Sequence, residues 1–229
     1  MASSIISSST FTFLKALSKN NNREWFALHK PRYLQAHENM IAFAHALLLA
    51  MEKHDNLETA TGKESLHRIY RDIRFSKDKT PYNTHFGGGF RRATKLLRGS
   101  YYYHIEPGNS FVAGGFWGPN TDDMKRIRED IDANSDEWRK LLSAKALVKN
   151  FGGLTGDKLS SAPRGYAKDH AAIDLLRYKQ FLLVQHFSDE EVLSAGFVQQ
   201  VNASFKNMRP FLNYMSEVLT TNANGEPLY

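Results

Sequence analysis

Across residues 66–117 the apolar residues of this chain change their spacing. On either side they recur every three or four positions, as a buried helix face requires. Inside the stretch, β-branched and aromatic residues alternate with polar ones, as half-buried strands require. A run of strands bracketed by helices predicts an α+β fold, with a central, largely antiparallel sheet flanked by N-terminal and C-terminal helices. Strands are expected over 66–75, 84–92, 100–106 and 111–117, with a further apolar strand over 179–187. Pro107-Gly108-Asn109-Ser110 is a turn signal, so the strands around it should form a hairpin. The Gly87-Gly88-Gly89 run implies a bulge or a close backbone approach.

Helix signals frame this core. Asn22 is placed to cap a helix carrying Trp25, Phe26 and Leu28, and Pro31 suits a first turn. From about 32 to 54, Met40, Ile41, Ala44, Leu47, Leu48 and Met51 form one apolar face, which should pack on a sheet. Asn120 with Asp123, Asn134 with Glu137, and Ser188 with Glu191 resemble capping boxes. A long last helix is expected from about 190 or 195 to 219.

With 41% hydrophobic and 24% charged residues among 229, the chain has the composition of one globular domain, expected over 11–221, with loose termini at 1–10 and 222–229. No run reaches the roughly 18 apolar residues of a membrane span. The chain has no cysteine, which rules out disulfides, thiolate nucleophiles and cysteine-ligated zinc, and suits the cytoplasm.

Charge is concentrated in one place. Residues 63–98 hold ten Lys or Arg against three Asp or Glu, a net +7 in a chain of net +6. Within it, RIYRDIRFSKDKTPY (68–82) packs Arg68, Arg71, Arg74, Lys77 and Lys79 beside Tyr82. Read as a strand and a loop, the segment puts Arg71 in an otherwise apolar row with Ile69, Ile73 and Phe75. A cation there needs either a carboxylate of the chain or a bound anion. On the other face Asp72 lies between Arg68 and Arg74. The loop offers ammonium groups, hydroxyls and amides suited to a phosphate or carboxylate.

Candidate acid and base groups are His85, His104, Glu106 and Asp72. His104 and Glu106 share a strand face with Tyr102, and with His85, Tyr82 and Asp72 they converge beside the anion site if those strands adjoin the basic one. Familiar signatures are otherwise absent: there is no GxSxG elbow, no phosphate-binding P-loop and no dinucleotide fingerprint. His29, His37 and His45 are each eight apart and do not share a helix face, so no metal site is expected from spacing. No motif specifies a cofactor, a substrate or an oligomeric state.

Four segments, FLKALSKNNNREWFALHKPRY, RIYRDIRFSKDKTPYNTHF, YYYHIEPG and PRGYAKDHAAIDLLRYKQF, resemble in order the family known as domain of unknown function 2461. The likeness runs over 11–219 and departs at Asn83, where the family often has a basic residue, and at His170-Ala171, where it often has His-Pro. The resemblance implies a single-domain protein of this size and carries over no activity. The residues themselves point to a small phosphate- or carboxylate-bearing ligand, with acid and base chemistry at His85 or His104. A nucleic-acid-binding module is one alternative, since aromatics interleave with the basic charge. Another is a protein-interaction domain with an internally paired arginine cluster.

Overall fold

The computed structural model describes residues 4–222 and 225–228. Helices α1 (Ser8–Lys19), α2 (Arg23–Leu28), α3 (Lys30–Met51) and α4 (Gly62–Ser65) precede strands β1 (Phe86–Arg91), β2 (Ser100–Ile105) and β3 (Ser110–Phe116). Then come α5 (Thr121–Ala133), α6 (Ser135–Leu142), α7 (Lys145–Phe151) and α8 (Ile173–Leu176), strand β4 (Phe181–Phe187), α9 (Asp189–Leu193) and α10 (Phe197–Thr220). The strands form one antiparallel sheet in the order β1-β2-β3-β4, and the fold is α+β.

The chain divides into two compact units. The first is built from the chain up to Phe90, Tyr102–Val112 and His186–Ala203. In it α3 buries Met40, Ala44, Leu47, Leu48 and Met51 of the expected face while Ile41 is only half-buried, and it also buries Phe43, which meets Tyr103 edge to face at 5.8 Å. Asn22 caps α2 by accepting from the Trp25 amide at 2.8 Å, and the capping box at Ser188 has both arms, but it opens the short α9 and not α10. The second unit comprises Arg91–Tyr101, Ala113–Gln185 and the chain from Ser204 on. Its centre is Trp138, fully buried, whose indole N–H donates to Asp130 Oδ2 at 2.6 Å. Asn120 caps α5 as expected. Asn134 does not cap α6 with its side chain, because its amide turns back to donate to Asp130 Oδ1 at 2.7 Å.

Three expectations need correcting. Residues 66–75 do not form a strand. The segment touches its neighbours at two isolated antiparallel bridges, Leu66 with Gly88 and Tyr70 with Tyr82. The Arg71 amide donates to Pro81 O at 2.9 Å, but Pro81 has no N–H to return, so the ladder stops there. The supposed apolar row also fails, since Ile69 is buried while Phe75 is 96% exposed. The start of the chain is ordered earlier than residue 11: Ile6 is buried, and Ser7 caps α1 by accepting from the Thr10 amide. The end folds back, with Thr221 bridging Pro227 and the Leu228 amide donating to Thr220 O at 2.8 Å. The rest of the two expected loose ends, residues 1–3, 223–224 and 229, lies outside the described residues.

Candidate functional site

Strand β2 separates its side chains into two rows. Tyr101, Tyr103 and Ile105 are buried on one side, while Tyr102 and His104, followed by Glu106, line the other. The Pro107-Gly108 turn then reverses the chain, with Gly108 at a positive φ of 79° and the Asn109 amide donating to Glu106 O at 3.0 Å. This turn also delivers the Asn109 side chain, whose Nδ2 donates to Glu106 Oε2 at 3.0 Å. From the approach to β1, Thr84 donates to Glu106 Oε1 at 2.7 Å. Both carboxylate oxygens are thereby fixed.

Glu106 Oε2 lies 3.1 Å from His104 Nε2, and His104 Nδ1 lies 3.1 Å from the Tyr102 hydroxyl. A carboxylate only accepts, so in a neutral ring Nε2 carries the proton and Nδ1 accepts from Tyr102. The result is a hydrogen-bonded chain from phenol to imidazole to carboxylate. His104 is held flat against Phe111 of β3, with ring centroids 4.7 Å apart, and Phe111 in turn meets His186 at 5.6 Å. The His85 ring covers His104, with centroids 4.0 Å apart. His67 stacks beside Tyr102 at 5.9 Å.

Electrostatics follow from this packing. Burial, with the nearby His104 adding to it, pushes His85 down to about 4, so His85 is a neutral base across the physiological range. Burial pushes the Glu106 carboxyl up, but hydrogen bonds from Thr84, Asn109 and His104 outweigh it and hold the group below its ordinary value. Burial, then the Glu106 charge, raises the Tyr102 phenol, which stays protonated and able to donate.

The glycine run explains how Tyr102 gets there. A Cβ on Gly87 would come 2.8 Å from the Tyr102 hydroxyl, and one on Gly88 would come 2.2 Å from the Tyr103 hydroxyl. Of the two readings of that run, the close backbone approach is the one that holds.

Of the expected acid and base residues, His85, His104 and Glu106 come together and Asp72 does not. Its carboxylate is clasped by Arg74, at 2.6 Å from Nη2, on the surface. Arg71 finds a partner in its own loop, donating to Asp78 Oδ2 at 2.6 Å and to Thr80 O and Oγ1. The Arg74 pair is exposed, and Lys79 donates to Ile73 O at 2.9 Å. Tyr82 is buried and stacks on Phe26 at 3.9 Å. Arg68 and Lys77 are exposed and make no direct side-chain hydrogen bond or ion pair among the described residues. Residues 163–170 belong to the second unit, where Arg164 and Tyr166 line a groove of about 780 Å³ and His170 Nε2 lies 2.8 Å from Asp132.

Thr84, Asn109 and Phe111 are the parts of the site that sequence reading misses. Thr84 and Phe111 act from neighbouring segments and Asn109 through the conformation of the turn, for which spacing along one strand gives no signal. No helix among the described residues is long and apolar enough to cross a membrane.

Among curated proteins and among solved structures, no match reaches significance. The profile of the family described as "Conserved hypothetical protein (DUF2461)" matches residues 9–214, a span that takes in the whole of the Tyr102–His104–Glu106 site and the basic segment before it. On that match the chain belongs to the DUF2461 family.

Proposed function

We propose that this protein binds a small phosphate- or carboxylate-bearing molecule and takes a proton from it at Tyr102 and His104. The observation that carries the reading is the hydrogen-bonded chain Tyr102–His104–Glu106. As a ligand proton passes to Tyr102 Oη, the phenol proton passes to His104 Nδ1, and the imidazolium so formed is held by the Glu106 carboxylate. His85, too weakly basic to be charged beside it, leaves room for that one positive charge. We assign anion capture to Arg68, which follows His67 in the chain and is exposed. Lys77 supplies a second cation with no carboxylate of its own. Arg71 and Arg74 contribute less, because each is engaged with an aspartate. Pairs of that kind at a surface contribute little and exchange readily for a better anion. The setting for such chemistry is the cytoplasm.

A second reading, a nucleic-acid-binding surface, draws on Phe75, which is 96% exposed with the Arg74 guanidinium 6.0 Å from its ring.

One screen addresses both. Phosphorylated metabolites, nucleotides and sugar acids are tested for a rise in melting temperature of the wild type, Arg68→Ala and Tyr102→Phe. The expected result is a shift for at least one small anion that weakens in Arg68→Ala and persists in Tyr102→Phe, while proton exchange or turnover of that ligand is lost in Tyr102→Phe. No shift with any small anion, or equal shifts and equal turnover in all three proteins, overturns the proposal. Binding of single-stranded oligonucleotides that falls steeply with salt would favour the second reading.

A further inference from the structure

We infer that His85, His104 and Glu106 form a binding site for one divalent first-row transition-metal ion. This rests on the same cluster as the function proposed above but not on the proton transfer.

One ring nitrogen from each histidine and one oxygen of Glu106 all lie within 4.8 Å of one another. Metal bonds to such atoms are about 2.0–2.2 Å, so adjacent ligand atoms in an octahedral or tetrahedral shell sit about 3.0–3.5 Å apart. The 3.1 Å between His104 Nε2 and Glu106 Oε2 is already such an edge. Because an imidazole lone pair lies in the ring plane, an ion bound to both histidines requires the His85 ring to turn from its contact with His104 at 4.0 Å.

Three further features separate this cluster from an ordinary hydrogen-bonded group. Neither ring nitrogen of His85 has a hydrogen-bond partner among the described residues, although the ring is half-buried. The carboxylate is oriented from outside the cluster by Thr84 and Asn109, as ligating carboxylates commonly are. The far nitrogen of His104 faces the Tyr102 hydroxyl. With metal on Nε2, the His104 ring proton moves to Nδ1 and donates to Tyr102 Oη, the outer contact that ligating histidines usually make. The count of ring protons is unchanged.

The donor set, two imidazoles and one carboxylate, suits zinc or iron(II) better than calcium or magnesium, which prefer all-oxygen shells. Three protein ligands leave at least one position for water or a ligand oxygen. An anionic small molecule is the class of ligand that such a position would take.

The test uses the full chain, stripped with EDTA and titrated with ZnCl2 by calorimetry, with CoCl2 as a spectroscopic stand-in. We expect one Zn²⁺ per chain and visible Co²⁺ absorption bands, both lost in His85→Gln and Glu106→Gln and both kept in His29→Gln. Tyr102→Phe should bind about 10–100-fold more weakly, since it removes only the outer contact. Melting in EDTA establishes that each variant is folded. Should Glu106→Gln fail to fold, His85→Gln decides, because that ring has no hydrogen bond to lose. No uptake by the wild type, or uptake unchanged in folded His85→Gln, overturns the inference. Repeating the anion screen in EDTA keeps the two ideas apart. Zinc uptake with no anion shift removes the acid–base proposal alone, and an anion shift without zinc uptake removes the metal site alone.

Discussion

Tyr102 and Tyr103 are neighbours in the sequence, and their hydroxyls lie on opposite faces of β2. Tyr102 reaches His104, whereas Tyr103 is fully buried, with its hydroxyl 2.9 Å from Ser65 Oγ. Burial pushes the Tyr103 phenol far above its ordinary value. Tyr214 is raised as well, by burial and by its hydrogen bond to Asp130 at 2.8 Å. The sign of the consequence follows from linkage. Both folded-state pKa values exceed the unfolded one, so the stabilisation is complete below about pH 10 and is lost as pH rises past it. Thermal melts should therefore show stability falling above about pH 10, and Tyr103→Phe should flatten that fall. An alkaline slope unchanged in Tyr103→Phe would contradict the assignment. At this scale the sequence was informative where one strand sufficed. Tyr102, His104 and Glu106 stand two apart, and alternation alone puts them on one face. Thr84 acts on Glu106 from the approach to β1 and Asn109 from the turn that follows Glu106, and nothing in their own spacing announces it.

Among the elements, the glycine run within β1 shows how a weak strand sequence makes room for two tyrosines. Gly88 pairs with Leu66, and a Cβ there would stand 2.2 Å from Tyr103 Oη and 2.7 Å from Ser65 O. The second of these is backbone and has little room to yield. Gly88→Ala should destabilise the chain by about 1–3 kcal/mol, as overpacking usually does, measured by urea unfolding. A variant as stable as wild type would show that the close approach is not required. The basic segment teaches the opposite lesson about legibility. Its β-branched and aromatic residues read as a strand, yet Pro81 stands opposite and removes the amide that would continue the ladder. Arg71 does find a partner, but the apolar row that made one seem necessary does not form. That the partner would be Asp78, seven residues on, depended on a loop conformation that composition does not specify.

On the scale of the whole molecule, the antiparallel order of β1, β2 and β3 follows from their short connections, and the helix-strand-helix sequence of elements is what the change in hydrophobic period requires. The excess positive charge of residues 63–98 is equally plain in the sequence, but its disposition is not. Arg92 is buried and donates to Asn213 and Ser216, Arg98 pairs with Asp123, and Arg71 and Arg74 each hold an aspartate. At least four of those ten cations are therefore partnered within the chain, and the proposed chemistry rests on Tyr102, His104 and Glu106. The central claim is that these three form one proton-carrying chain, and the protonation of the His104 ring tests it most directly. In a two-bond ¹⁵N–¹H correlation spectrum of the metal-free protein near neutral pH, the account predicts that His104 carries its proton on Nε2, with Nδ1 accepting from Tyr102, and that Tyr102→Phe shifts the Nδ1 resonance. A His104 ring protonated on Nδ1, or one whose nitrogens do not respond to Tyr102→Phe, would contradict it.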